Sequence, residues 1–93
     1  MRKLVVIDLS SANTALFEAY ERKVIPLLQK YGGRLELGVR SADGSTETHL
    51  IDFPDATQFE AFLSDPIRTS LKDEWEMSGV TSTISDVVPI DYI

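Results

Sequence analysis

Apolar positions along this chain switch between helical and alternating spacing, and each switch marks an element. Leu4 to Leu9 is apolar on both alternating faces apart from Asp8, the pattern of a strand covered on two sides. Ser10, Ser11 and Asn13 then offer side-chain oxygens that cap a helix. Beyond them Phe17, Tyr20, Val24, Leu27 and Tyr31 recur at spacings of three and four. That stripe predicts an amphipathic helix to about Lys30, with Glu18, Glu21, Arg22 and Lys23 on the rest of its surface. Pro26 lies inside the stripe and removes one backbone hydrogen bond. Because apolar positions continue past it, a kink is expected rather than an end.

Tyr31-Gly32-Gly33-Arg34 is where helical spacing gives way to strict alternation. Gly32 is the expected left-handed C-cap. A second strand follows over Arg34–Arg40. By its period of two, Leu35, Leu37 and Val39 share the face expected to meet the helices, and Arg34, Glu36 and Arg40 share the other. Ala42-Asp43-Gly44-Ser45 reads as a hairpin turn, and Thr46 to Phe53 as the third strand. Pro54-Asp55 ends it. Asp55 or Thr57 caps a second helix with Phe59, Phe62 and Leu63 on its apolar face. Asp65-Pro66 opens a further helical segment, a good N-cap followed by proline where its missing N–H costs nothing. Ile67, Leu71 and Trp75 follow at four-residue spacing, Gly79 closes the segment, and Val80 to about Ile90 supplies the last strand.

The resulting order, β-α-β-β-α-β, predicts an α+β, ferredoxin-like antiparallel sheet with helices on one face, in a single domain over residues 1–93. The helices cover only one side. The other side must carry one apolar row of the first strand: Leu4 and Val6, or Val5, Ile7 and Leu9. Monomers rarely leave such a face open to water. A two-fold homodimer with sheets face to face is the simplest cover.

Composition narrows the function classes. Apolar residues are 43% and charged residues 26%, as in ordinary globular proteins. Without cysteine there is neither a disulfide framework nor a thiolate metal site. The first apolar run is too short for a signal-peptide core, so a cytoplasmic protein is expected, and no run approaches a membrane span. The net charge is −6, and the nine basic residues do not cluster. This argues against nucleic acid, whose binding depends on neutralising phosphates, and against anionic membrane surfaces.

Three segments carry a family likeness. They are Val24-Ile25-Pro26-Leu27-Leu28 leading into Tyr31-Gly32-Gly33-Arg34, then Leu50-Ile51-Asp52-Phe53-Pro54-Asp55, then Phe62-Leu63-Ser64-Asp65-Pro66. In this order they resemble the small uncharacterised proteins with a Tyr-Gly-Gly-Arg signature in the dimeric α/β-barrel superfamily, which is similar to antibiotic-biosynthesis monooxygenases. Many members carry an aromatic residue and an Arg-Gly-Gly run after the arginine, where this chain has Leu35-Glu36-Leu37-Gly38-Val39-Arg40. The resemblance implies a homodimeric barrel with a pocket between sheet and helices. It also implies kinship with cofactor-independent monooxygenases of aromatic polyketides, lactone isomerases and haem enzymes.

Candidate chemistry rests on few residues. His49 is the only histidine, and imidazole suits a general base. A lone histidine without a supporting motif argues against haem. Asp8 interrupts an apolar strand. It is either a buried carboxylate that must be paired or shifted, or a strand-end residue near solvent. Arg34, Glu36 and Arg40 form a polar row suited to a carboxylate ligand or to ion pairs. Tyr20 and Trp75 sit on apolar stripes, as core or as walls for a flat ligand. No metal-ligand spacing, phosphate loop or nucleophile-elbow motif occurs.

Two functions follow. One, implied by the family resemblance, is a small enzyme without cofactor, monooxygenase-like or isomerase-like, acting on an aromatic or lactone-like molecule with Asp8, Arg34 and His49 at the substrate. The other is a non-catalytic dimeric module that binds a small ligand or a partner.

Overall fold

The computed structural model describes all residues, Met1–Ile93. Its four strands are β1 (Arg2–Asp8), β2 (Arg34–Arg40), β3 (Thr46–Asp52) and β4 (Thr81–Val87). They form one antiparallel sheet in the order β2-β3-β1-β4. The helices α1 (Thr14–Val24), α2 (Ala56–Leu63), α3 (Pro66–Ser70) and α4 (Lys72–Ser78) complete a ferredoxin-like α+β domain.

Local chemistry sets most boundaries. The Asn13 side chain accepts from the Leu16 N–H and starts α1. Asp55 does the same for α2 through the Gln58 N–H. Asp65 caps α3 through the N–H groups of Ile67 and Arg68, with Pro66 following it as expected. In the β2–β3 turn the Asp43 carboxylate accepts from Ser41, from the Ser45 hydroxyl and from the Ser45 N–H. These bonds hold it down at about 2.

Pro26 does more than kink the first helix. From Ile25 to Tyr31 the chain runs as a 3₁₀ helix, which tightens the last turns before Gly32 takes φ +68°. The segment from Pro66 to Gly79 likewise divides in two at Leu71, leaving Ile67 exposed rather than in the core. The last strand stops at Val87, short of Ile90.

Gly33 is fixed by packing rather than by φ. A Cβ there would lie 2.9 Å from the Phe53 ring and 3.2 Å from the Leu28 carbonyl oxygen, a backbone atom that cannot turn aside. Gly33→Ala should lower stability by about 1–3 kcal/mol, read as a shifted denaturant midpoint. An unchanged midpoint would mean that the 3₁₀ helix and Phe53 give way freely.

The core lies between helices and sheet. Tyr20, Val24, Leu28, Ile51, Phe53 and Phe62 form its larger part. Ile7, Leu9, Phe17 and Val80 form the rest. Val5, Ile7 and Leu9 therefore point towards the helices, and Leu4 and Val6 lie on the uncovered face.

The second strand departs from simple alternation. Leu35 pairs with Ile51 but Leu37 pairs with Leu50, so Glu36 is the extra residue of a β-bulge. A bulge reverses the side assignment of every later residue. Leu37 and Val39 consequently share the uncovered face with Leu4, Leu50 and Val6. The expectation that Leu35, Leu37 and Val39 all meet the helices is corrected: only Leu35 does. Arg34, Glu36 and Arg40 do not form one row either. Arg34 stays with Asp52 on the open side, whereas Arg40 opposite Glu47 turns to the helix side.

Candidate functional site

A cavity of about 380 Å³ lies between the sheet and the helices. Its walls are mainly apolar, with Phe53, Phe59, Phe62, Tyr20 and Trp75 supplying aromatic surface. Trp75 stacks obliquely on Tyr20, with ring centroids 5.2 Å apart, and meets Phe17 edge-on. A flat hydrophobic molecule is the complement of such walls.

Polar groups enter at a few points. Alternation from Ile51 puts His49 and Glu47 on the helix side of β3. His49 is 6% exposed. Its Nε2 lies 2.7 Å from Glu47 Oε2. The other Glu47 oxygen accepts from Arg40 Nε and Nη2 at 3.0 and 2.7 Å. A carboxylate held by arginine only accepts, so the Nε2 proton points to Glu47 and Nδ1 is the free ring nitrogen. Nδ1 faces Glu21 on α1, with 4.0 Å to its Oε2. That gap is too long for a direct hydrogen bond.

Glu21 lines the cavity beside His49. Burial and the nearby Glu47 charge push its carboxyl up to about 7, against a smaller pull from Arg68. A carboxyl that titrates near neutrality in an apolar pocket can take or give a proton at working pH. Burial also raises the Tyr20 hydroxyl.

Two cations also line the cavity. Lys3 reaches the cavity between the Asp86 carboxylate and the Phe59 ring, 4.3 Å from its centroid. Arg68 projects from α3 over the Phe62 ring, 5.3 Å from guanidinium carbon to centroid. Its segment is fixed by Asp65, which is 1% exposed and accepts from Lys30 and Tyr31 besides two backbone N–H groups. Those donors hold the Asp65 carboxyl well below the usual carboxylate range and raise Lys30 and Tyr31 in turn.

Of the residues expected at a site, His49, Tyr20 and Trp75 line the cavity, and Arg40 braces it through Glu47. Asp8, Arg34 and Glu36 are not brought to it. Asp8 ends β1 in solvent, where the Ser10 hydroxyl and N–H lower its carboxyl. Glu36 accepts from Arg2 at 3.3 Å, with Arg34 3.7 Å away. No group of histidine and acidic side chains has the arrangement of a metal site, and no helix is long and apolar enough to cross a membrane.

Sequence reasoning missed Glu21, Glu47, Arg68 and Lys3. Glu21 belongs to the cavity side rather than to the outer surface of α1. Its signal was its spacing, one turn after Phe17 and beside Tyr20. Glu47 is two residues from His49 on a strand and so shares its face. Arg68 left no signal in the local pattern.

No family model matches the chain, and no curated protein matches it in sequence. Solved structures do match. An uncharacterised NIPSNAP domain protein from Burkholderia xenovorans superposes with a TM-score of 0.67 at 15% identity, covering 100% of this chain and 98% of its own. Rv0793 from Mycobacterium tuberculosis gives 0.66 at 15%, over 97% and 95%. A Nitrosomonas europaea protein described as a candidate antibiotic biosynthesis monooxygenase gives 0.64 at 15%, over 96% and 100%. At such identities the likeness establishes the fold, and the chemistry rests on this chain's own side chains.

Proposed function

We propose that this chain is a small cytoplasmic enzyme, active as a homodimer. It removes a proton from an aromatic or lactone-like molecule held between sheet and helices. The observation that carries this reading is the pair of Glu21 and His49 in the wall of an apolar cavity, with Glu21 near 7. Glu21 is the base. His49, fixed by Glu47 and Arg40, presents Nδ1 to the same space and relays or stabilises the proton. The carbanion or enolate so formed is the entry to both expected reactions. Returning the proton to another atom isomerises the molecule. In the monooxygenase-like case dioxygen converts a CH2 to C=O and releases water. Neither route needs a group beyond the side chains and the reactants.

Solvent-deuterium exchange into 2-tetralone and anthrone, followed by NMR, tests this. The wild-type chain should speed exchange of at least one of them. Glu21→Gln and His49→Gln should slow that exchange by about 100-fold or more. Exchange no faster than in buffer for both compounds, or a His49→Gln variant as fast as wild type, overturns the assignment.

The dimer is supported by the uncovered face. Leu4, Val6, Leu37, Val39 and Leu50 form an apolar patch, with Thr48 between Val6 and Val39 and Thr83 beside Val6. Val6, Leu37 and Val39 are 36%, 53% and 50% exposed.

A further inference from the structure

One basic side chain of this acidic protein lacks an acid. Every other lysine and arginine is paired with a carboxylate. Arg2 and Arg34 share Glu36, Lys3 has Asp86, Lys30 has Asp65, and Arg40 has Glu18 and Glu47. Arg22, Lys23 and Lys72 find Glu18, Glu74 and Glu76. Arg68 has none, although acidic residues outnumber basic ones by 15 to 9. Its Nη1 donates to the Leu63 carbonyl at 3.1 Å. Its Nε is buried and bonds to nothing.

A buried, unbonded donor on a charged group is costly to keep. Arg68 belongs to the cavity wall, with its guanidinium carbon 5.3 Å from the centroid of the Phe62 ring. Glu21, which lines the same cavity, is pushed towards its neutral form and so competes weakly for the charge. A planar fork of donors in apolar surroundings matches a carboxylate in shape and in charge.

We infer that the cavity takes a hydrophobic aromatic carboxylate, with the carboxylate on Arg68 and the ring system among Phe53, Phe62 and Trp75. The inference deepens the preceding reading, since it gives the charge class of the molecule held at that same site. The carboxylate neutralises the one unpaired cation, which belongs to the cavity wall. The aromatic body replaces water against the ring faces.

Calorimetric titration of the full chain with 2-naphthoate and with 2-naphthamide, its uncharged counterpart of similar shape, tests the inference. Wild-type protein should bind the carboxylate at least about tenfold more tightly, as a charge-assisted hydrogen bond predicts. Arg68→Gln should bring 2-naphthoate down to the affinity of the amide and leave amide binding unchanged, which also shows the cavity intact. Lys72→Gln, on the exposed rim, should keep the preference. Equal affinities in the wild type, a preference that survives Arg68→Gln, or no binding of either compound at millimolar concentration each overturns the inference. Binding is read here without turnover, so the two readings fail separately. A preference for naphthoate without deuterium exchange removes the proton-abstraction reading alone. Exchange without the preference removes only this one.

Discussion

The protein should lose stability between pH 5 and pH 8, and Glu21→Gln should remove most of that loss. In the folded state the Glu21 carboxyl titrates at about 7, against 4.5 for a free glutamate. Between those values the folded chain holds a proton that the unfolded chain has released. Stability therefore falls as pH rises through this window, is fully present below 4.5 and is fully lost above about 7. At about 1.4 kcal/mol per pH unit the whole effect is on the order of 3 kcal/mol, less once the partial exposure of the side chain is allowed for. For a domain of this size that is roughly a 10–20 °C fall in Tm.

Glutamine keeps the volume and cannot ionise. The variant should match wild type at pH 5 and exceed it at pH 8. Thermal unfolding at both pH values is the measurement, and the difference between the two proteins isolates Glu21 from the other titrating groups. Parallel curves would show that the ionised carboxylate is well solvated in the folded state. The case for Glu21 as a base poised near neutrality would go with it.

The other large effect is on assembly. Val6→Asp should convert the proposed dimer to a folded monomer. Val6 lies at the centre of the uncovered face, between Thr48 and Thr83 on the flanking strands. In a single chain it already meets solvent, so aspartate there leaves the helix-side core untouched. In a two-fold face-to-face dimer the change enters twice. Each copy then places an unpaired carboxylate among apolar groups, at several kcal/mol apiece. Dissociation should rise by about a thousandfold or more. Sedimentation at micromolar concentration reads it, with far-UV dichroism to confirm the fold. Leu37→Asp, which changes the same face from β2, serves as the second variant. A wild-type monomer, or a Val6→Asp dimer as tight as wild type, would mean that this face is covered in another way.

What could be read from the sequence follows from the range of each interaction. Caps act over three or four residues, so Asp65 is legible as a helix start from its neighbours, and Asn13 and Asp55 stand among the few candidates at theirs. Glycines at positive φ act on a single residue, and Gly32 and Gly79 end their helices as expected. The alternation of β1 and β3 and the Asp-Gly turn are equally local. Given those elements, few sheet orders remain, because connections are short and handed.

The same locality explains what was missed. A single bulged residue, Glu36, leaves no local mark, yet it moves Leu37 and Val39 to the open face and Arg40 to the helix side. Pro26 announces a disturbance but not its outcome, a 3₁₀ helix whose Leu27 and Leu28 are buried in the core. The site is the extreme case. Glu21, His49 and Arg68 come from three elements and are up to 47 residues apart in sequence, by their numbers. Local propensity thus determined the elements and their order. Only tertiary packing decided which faces meet, and with them the buried histidine, the near-neutral glutamate and the arginine left without an acid, because burial and long-range charge exist only once the chain has closed.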